Sequence, residues 1–226
     1  MGHYQYIAVI GRPVAYGIGF LVLILVAFAS EVTDSIVRVA HEGGHMLVAL
    51  ISGHRVTGFE MTEPRGGQVT GSGKTTYKGR IGWVSEIFNS FAGYATPPLV
   101  GLVGAHVVAN GNSWGVLTAS VILLLAVLLI PKINPLALTF TVLLLGGILW
   151  ALLAGKAGVQ AALAVGLVWL MLIGGLWMVL VRNINNQDAV ELTQATWIPR
   201  FVWFAGWLAI AVVSLWVGGR LLLGYA

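Results

Sequence analysis

Two histidines and a glutamate give this chain its clearest chemical signal. His41, Glu42 and His45 form the pattern His-Glu-x-x-His inside a hydrophobic run that we predict to be helical. Residues four apart lie on one face of a helix, about one turn apart, so both imidazoles can hold one metal ion. Glu42 stands beside them and can reach a water bound to that ion. The spacing therefore predicts a hydrolytic zinc centre with Glu42 as the general base.

A pattern with three fixed positions also arises by chance in unrelated chains. The surrounding sequence argues against chance here, because only 9% of the residues are Asp, Glu, Lys or Arg. Two histidines and a glutamate at membrane depth are costly unless they are paired or functional. The setting favours a metal site.

The composition indicates an integral membrane protein. The chain has 226 residues, of which 58% are hydrophobic, and a mean hydropathy of +0.90. A soluble domain cannot hide that much apolar surface. We predict an all-α membrane protein of about six or seven transmembrane helices, forming a single domain over residues 1–226. The chain has no cysteine, so a transition-metal site must use histidine and carboxylate ligands.

Hydrophobic segments are spaced along the whole chain, and the second carries the motif. The seven candidates cover about residues 14–30, 33–52, 81–109, 114–130, 136–154, 160–181 and 201–219. The first is longer than a usual signal-peptide core, so we expect it to be retained. On the motif helix Asp34 lies about 10 Å from His41, too far to share an ion. We predict that Asp34 pairs with Arg38 instead.

A polar loop and a pair of prolines are the next features along the chain. Residues 53–80 predict a β-hairpin at the cytoplasmic membrane surface, with strands at 55–61 and 68–70 and a turn at Pro64–Gly67. The hairpin either pairs with an extended substrate or is a plain connector. Pro97 and Pro98 predict a break or a kink in the third hydrophobic helix, and a broken helix at membrane depth usually lines a cavity.

A catalytic zinc usually takes three protein ligands and keeps one position for water. The third ligand must come from a distant segment, and the candidates are Glu86, His106, Asp188 and Glu191. We prefer Asp188, in the predicted loop 182–199, because residues 185–188 are typical of a helix N-cap beside the membrane. The same pattern also arises if Asp188 only caps that helix. The residues alone leave both interpretations open, and they leave open whether Arg38 or Asn89 stabilises an oxyanion.

Basic residues predict the orientation in the membrane. If all seven segments cross, nine of the twelve Lys and Arg residues, Arg12 among them, lie on one side. Arg38, Lys156 and Arg220 lie on the other. The positive-inside rule makes the first side, with the N-terminus, cytoplasmic. The net charge of +4 belongs to these loops and does not indicate nucleic acid.

Several stretches together resemble the site-2 protease family of intramembrane zinc metalloproteases. The resemblance is closest to the short bacterial branch that lacks a PDZ domain. It covers most of the chain, although the middle spans match only as hydrophobic helices. It is carried by Ala40–His45, Gly53–Val56, Ala92–Tyr94 with Pro97, Pro98 and Gly101, and Asp188–Leu192 with Thr196, Ile198, Pro199 and Trp203.

The resemblance implies a specific site and substrate class. It implies one zinc ion per chain held by His41, His45 and Asp188, with a transmembrane or membrane-anchored protein as substrate. It also implies a multi-pass protein of the bacterial plasma membrane. The chain reads Asn-Gln-Asp-Ala at 186–189, where better-known members carry Leu-Asp-Gly or Asn-Pro-x-x-Asp. The alternative is a catalytically silent metal-binding scaffold or a transporter, but the two halves lack the paired broken segments typical of transporters.

Overall fold

The computed structural model describes residues 10–62, 72–79, 82–182 and 186–225. Across these ranges the chain forms helices and one two-stranded sheet. In order they are α1 (Arg12–Phe28), α2 (Ser30–Ile51), β1 (Arg55–Thr62), β2 (Ser72–Lys78), α3 (Trp83–Ala109), α4 (Ser113–Leu128), α5 (Pro135–Ala154), α6 (Ala157–Arg182), α7 (Gln187–Thr196) and α8 (Arg200–Leu222).

Helix α3 lies at the centre of the bundle, with α2, α6 and α8 packed around it. Glycines at the contacts between these helices let the helix backbones approach closely. A Cβ added at Gly101 or Gly104 would lie 2.9 or 2.8 Å from side-chain atoms of α6, and one added at Gly218 of α8 would lie 2.9 Å from Leu172. Small residues allow this approach between apolar helices, where van der Waals packing drives association.

Four of the described helices are long and apolar enough to cross a membrane: α3, α5, α6 and α8. Helices α1 and α2 add a fifth crossing if they count as one span, since a bend of 104° separates them. Helix α4 is apolar but only 16 residues long. An α-helical membrane protein with a small sheet is therefore confirmed, while the predicted count of six or seven spans is not.

The start of α1 lies against the residues that follow α8. The Arg12 guanidinium donates to the Gly224 carbonyl at 3.0 Å, and the hydroxyls of Tyr16 and Tyr225 lie 2.7 Å apart. Arg220 donates to the Tyr225 carbonyl at 2.8 Å. The prediction that Arg12 and Arg220 lie on opposite sides is therefore wrong. It assumed two full crossings at the start of the chain, where the structure has a bent pair.

The sheet joins β1 and β2 in antiparallel register, from Arg55 opposite Lys78 to Thr62 opposite Ser72. The strand predicted at 55–61 is confirmed. The strand predicted at 68–70 and the turn at Pro64–Gly67 lie outside the described residues, and the described partner strand is β2.

The connector between α4 and α5 covers the second edge of β1. The Phe59 amide donates to the Lys132 carbonyl at 2.7 Å, and the Asn134 amide donates to the Phe59 carbonyl at 3.2 Å. The Asn134 side chain also donates to the Met61 carbonyl at 2.6 Å. In the described part of the chain, β2 therefore carries the sheet edge that no strand pairs with.

Helix α3 continues through Pro97 and Pro98 without a break, and a kink at the prolines stays a prediction. The prolines pack against α6, where a Cβ on Gly175 would lie 2.9 Å from Pro98 Cδ. The Thr96 hydroxyl donates to the Ala92 carbonyl at 2.7 Å. Close helix packing and a local hydroxyl can support a proline-containing helix at membrane depth.

Candidate metal centre

Three polar side chains converge where α2, α3 and α7 meet. His41 Nε2 lies 3.3 Å from His45 Nε2. Asp188 Oδ2 lies 3.4 Å from His41 Nε2 and 3.6 Å from His45 Nε2. Two neighbouring turns of α2 and the first turn of α7 thus place three ligand-type atoms at the corners of a nearly equilateral triangle.

The size of this triangle can be compared with known metal coordination. Nitrogen and carboxylate ligands of tetrahedral zinc lie about 2.0–2.2 Å from the ion, which separates two ligand atoms by roughly 3.3–3.6 Å. The three distances in the structure fall in that range. A Glu42 carboxylate oxygen lies within 4.8 Å of the two imidazole ligand atoms. The donor set therefore fits one divalent ion with a fourth position left for water.

The motif helix carries a second polar pair one turn earlier. Arg38 and Asp34 form a buried salt bridge at the predicted i, i+4 spacing, which confirms that pairing. Arg38 also donates to the Thr62 carbonyl of β1 at 2.9 Å. These contacts tie α2 to the end of β1 and give Arg38 a structural role.

Helix α3 fixes the orientation of the histidines. His45 Nδ1 lies 2.8 Å from the Asn89 carbonyl, an acceptor, so this nitrogen carries the proton and Nε2 is left to bind an ion. The His41 ring meets Tyr94 edge to face, with centroids 4.7 Å apart. Tyr94 in turn packs on Trp207 of α8 at 4.8 Å. Asn89 therefore acts through its backbone.

Gly93 lets α3 approach the imidazoles. A Cβ at this position would lie 2.5 Å from His45 Nε2 and 2.6 Å from His41 Cε1. On α2, next to His45, a Cβ added at Gly44 would lie 2.8 Å from the Ala92 carbonyl oxygen. Gly44 of α2 and Gly93 of α3 thus allow the two helices to meet at backbone distance.

The sheet supplies the surroundings of Glu42. The Thr75 hydroxyl of β2 donates to Glu42 Oε2 at 2.7 Å. A Cβ on Gly73 would lie 2.3 Å from Glu42 Oε1, so only glycine leaves room for the carboxylate there. Glu42 is 3% exposed. Strand β2 therefore packs directly on the predicted general base.

Helix α7 begins at the predicted capping sequence. The Asn186 side chain accepts from the Ala189 amide at 2.8 Å and is the N-cap. Asp188 lies in the first turn, where a carboxylate also interacts favourably with the helix dipole. Capping by Asn186 leaves the Asp188 carboxylate directed at the histidines.

The other candidate ligands lie elsewhere. Glu86 and His106 are exposed, and neither belongs to the cluster of metal-binding groups found in the described residues. Glu191 accepts from Ser90 at 2.9 Å and from Gln187 at 2.8 Å. Sequence patterns gave no signal for Ser90, Gly73 or Thr75, because small residues in polar loops and apolar helices are common.

Carboxylates also affect the hydroxyl of Tyr77 on β2. Burial raises the pKa of Tyr77, and the negative charges of Glu191 and Glu86 raise it further. The phenol therefore stays protonated at neutral pH.

Comparison with known proteins identifies one related family. A family model described as Peptidase M50B-like matches residues 14–218, which include every residue of this cluster. Searches of curated proteins and of solved structures gave no match.

Proposed function

Because this chain belongs to the Peptidase M50B-like family, a site-2 protease family, we propose that it is an intramembrane zinc metalloprotease. It hydrolyses peptide bonds in or beside the membrane. Its substrates are proteins that span the bilayer or are anchored to it. His41, His45 and Asp188 hold one Zn²⁺, and Glu42 is the general base.

The observation that carries this proposal is the convergence of two distant segments. Ligand atoms of His41, His45 and Asp188 lie 3.3 to 3.6 Å apart, although residue 188 is far from the motif along the chain. A cation held by these three groups would stabilise the largely buried Asp188 carboxylate between the two imidazoles. Glu42 beside this triangle adds the group that a hydrolase requires and that a metal store does not.

The mechanism assigns each side chain one task. The chemistry that zinc supplies when bound is acidification of water and polarisation of the scissile carbonyl. Glu42 accepts a proton from the attacking water and delivers it to the leaving amine. The Thr75 hydroxyl, at 2.7 Å, holds the Glu42 carboxylate in one orientation. The Asn89 carbonyl holds His45 with Nε2 directed inward.

Substrate must reach the site in an extended form, because a helix hides its carbonyls from attack. Strand β2 packs on Glu42 through Gly73 and Thr75, and its edge that no described strand pairs with can bind such a segment by strand addition. The other edge of the sheet is covered by residues 132–134. We assign substrate alignment to β2 for this reason.

Metal removal tests the proposed activity. In liposomes containing the purified protein and a single-span test substrate, we expect cleavage to stop after treatment with a zinc chelator. Cleavage should return when Zn²⁺ is added back, because the ligands remain in place. Cleavage that continues unchanged in metal-free protein would contradict the proposal, and bound zinc without any cleavage would favour the silent scaffold.

The contacts at the chain ends also revise the proposed orientation. Since the start of α1 meets the end of α8, both lie at one end of the bundle, which requires an even number of crossings. The bent α1–α2 pair, α3, α5, α6 and α8 give five, so the short apolar helix α4 is assigned as the sixth. Basic residues are concentrated at the end of the bundle that carries the sheet, so this end faces the cytoplasm. The start of α1 and the end of α8 then face outward. The sheet end holds Arg55, Lys74, Lys78, Lys132 and Arg200, whereas the other end holds Arg12, Lys156 and Arg220.

Cysteine labelling tests this orientation, because the chain has no cysteine of its own. Lys132→Cys and Lys156→Cys place single thiols at exposed positions of opposite ends. In intact cells a membrane-impermeant maleimide should label the Lys156→Cys protein and should reach Lys132→Cys only after permeabilisation. The reverse pattern would show that the sheet faces outward.

A further inference from the structure

We propose that Glu191 is a positioning residue for the metal centre. It acts through Ser90, and the pair holds α7 against α3 so that Asp188 meets the two histidines. This inference rests on the proposed role of Asp188 as third ligand. It assigns a role to a carboxylate that the mechanism does not use.

The geometry begins with α3. Asn89 and Ser90 are neighbours on this helix, and both are buried. The Asn89 carbonyl accepts from His45 Nδ1 at 2.8 Å, while the Ser90 hydroxyl donates to Glu191 Oε2 at 2.9 Å. One dipeptide therefore holds both parts of the site, the motif helix on one side and α7 on the other.

The position of Glu191 on its own helix makes the contact relevant to Asp188. The two carboxylates are three residues apart, so they lie on one face of α7 about one turn from each other. Gln187 donates to Glu191 Oε1 at 2.8 Å. Both oxygens of Glu191 thus accept hydrogen bonds from neutral donors, Ser90 and Gln187. These bonds fix Glu191 against α3, and Asp188, one turn earlier, is then directed at the imidazoles.

Helix α7 needs such an anchor because it is short. It has ten residues, and only Ala189 and Leu192 are buried. Near its end the Trp83 indole donates to the Ala195 carbonyl at 2.6 Å. The Ser90–Glu191 contact lies closer to Asp188 and is made by a charged acceptor, so it is the stronger restraint on the first turn.

A double-mutant cycle on metal affinity tests the proposal. The dissociation constant for Zn²⁺ would be measured by chelator competition in purified Ser90→Ala, Glu191→Ala and the double variant. Groups bonded directly to a metal ligand typically change affinity by about 10 to 100-fold. Ser90 and Glu191 act one contact further out, so we expect each single variant to lose about 10-fold, the lower end of that range. The double variant should lose no more than the larger single effect, because both changes remove one contact.

Three further variants make the outcome unambiguous. Glu191→Gln keeps an acceptor oxygen for Ser90 and should lose less affinity than Glu191→Ala, so it remains informative if the alanine variant fails to fold. Glu86→Ala removes an exposed carboxylate from α3 and should leave affinity unchanged. His41→Ala tests the site itself and should abolish tight binding.

Unchanged affinity in Ser90→Ala and Glu191→Ala, with binding lost in His41→Ala, would overturn the positioning role and leave the proposed function standing. Additive losses in the double variant would also overturn it, since the two residues would then act independently. Unchanged affinity in His41→Ala would instead overturn the metal centre and this inference with it.

Discussion

Replacing Glu42 by glutamine is expected to abolish proteolysis while zinc remains bound. General acid–base catalysis contributes about 10² to 10⁴-fold to rate. Glu42 serves both proton transfers of the mechanism, so we expect a loss of about 10³-fold or more in kcat. The amide cannot accept a proton from water at neutral pH. The measurement is cleavage of a single-span substrate, with metal content determined on the same sample.

The substitution is nearly isosteric, so the surrounding structure should be kept. The amide oxygen can still accept from Thr75, and the contact with Gly73 is unchanged in size. A matched control is Glu31→Gln, which changes an exposed glutamate of the same helix and should leave the rate unchanged. Cleavage by the Glu42→Gln protein at the wild-type rate would end the assignment of Glu42 as general base.

The motif helix was predictable because its signals are local. The i, i+4 spacing of His41 and His45 and that of Asp34 and Arg38 depend only on helix geometry. The buried Asp34–Arg38 contact confirms the second pair. The expected start of a helix near residue 186 also needed only the capping preference of Asn186.

The path of the first helices was not predictable from hydropathy. Residues 14–30 and 33–52 suggested two crossings, whereas Ala29 is a single residue at a bend of 104°. Hydropathy measures whether a segment tolerates lipid and carries no information on its direction. The same limit applies to Pro97 and Pro98, where packing on Gly175 of α6 outweighs the helix-breaking tendency of proline.

The surroundings of the site depend on contacts between segments far apart in the chain. Strand β2 reads as a polar Ser-Gly-Lys-Thr-Thr-Tyr-Lys loop, and nothing in it indicates that Thr75 reaches Glu42. Ser90 is one of many small residues in an apolar helix, yet it binds Glu191. Such pairs follow from the tertiary fold, which a single sequence does not reveal.

Replacing Asp188 by alanine is expected to remove tight metal binding and, with it, cleavage. The change leaves two imidazoles where a catalytic zinc ion usually has three protein ligands. Loss of an outer-sphere partner weakens binding by about 10 to 100-fold, so loss of a direct ligand should exceed 100-fold. Gln194→Ala alters an exposed side chain of the same helix and should bind zinc like the wild type.

Zinc titration of the purified wild-type and Asp188→Ala proteins tests the central claim most directly. If His41, His45 and Asp188 hold one ion, the wild type takes up one Zn²⁺ per chain, and the variant binds more than about 100-fold more weakly. If the Asp188→Ala protein binds one Zn²⁺ with wild-type affinity, the carboxylate of residue 188 is not a ligand and the account is wrong.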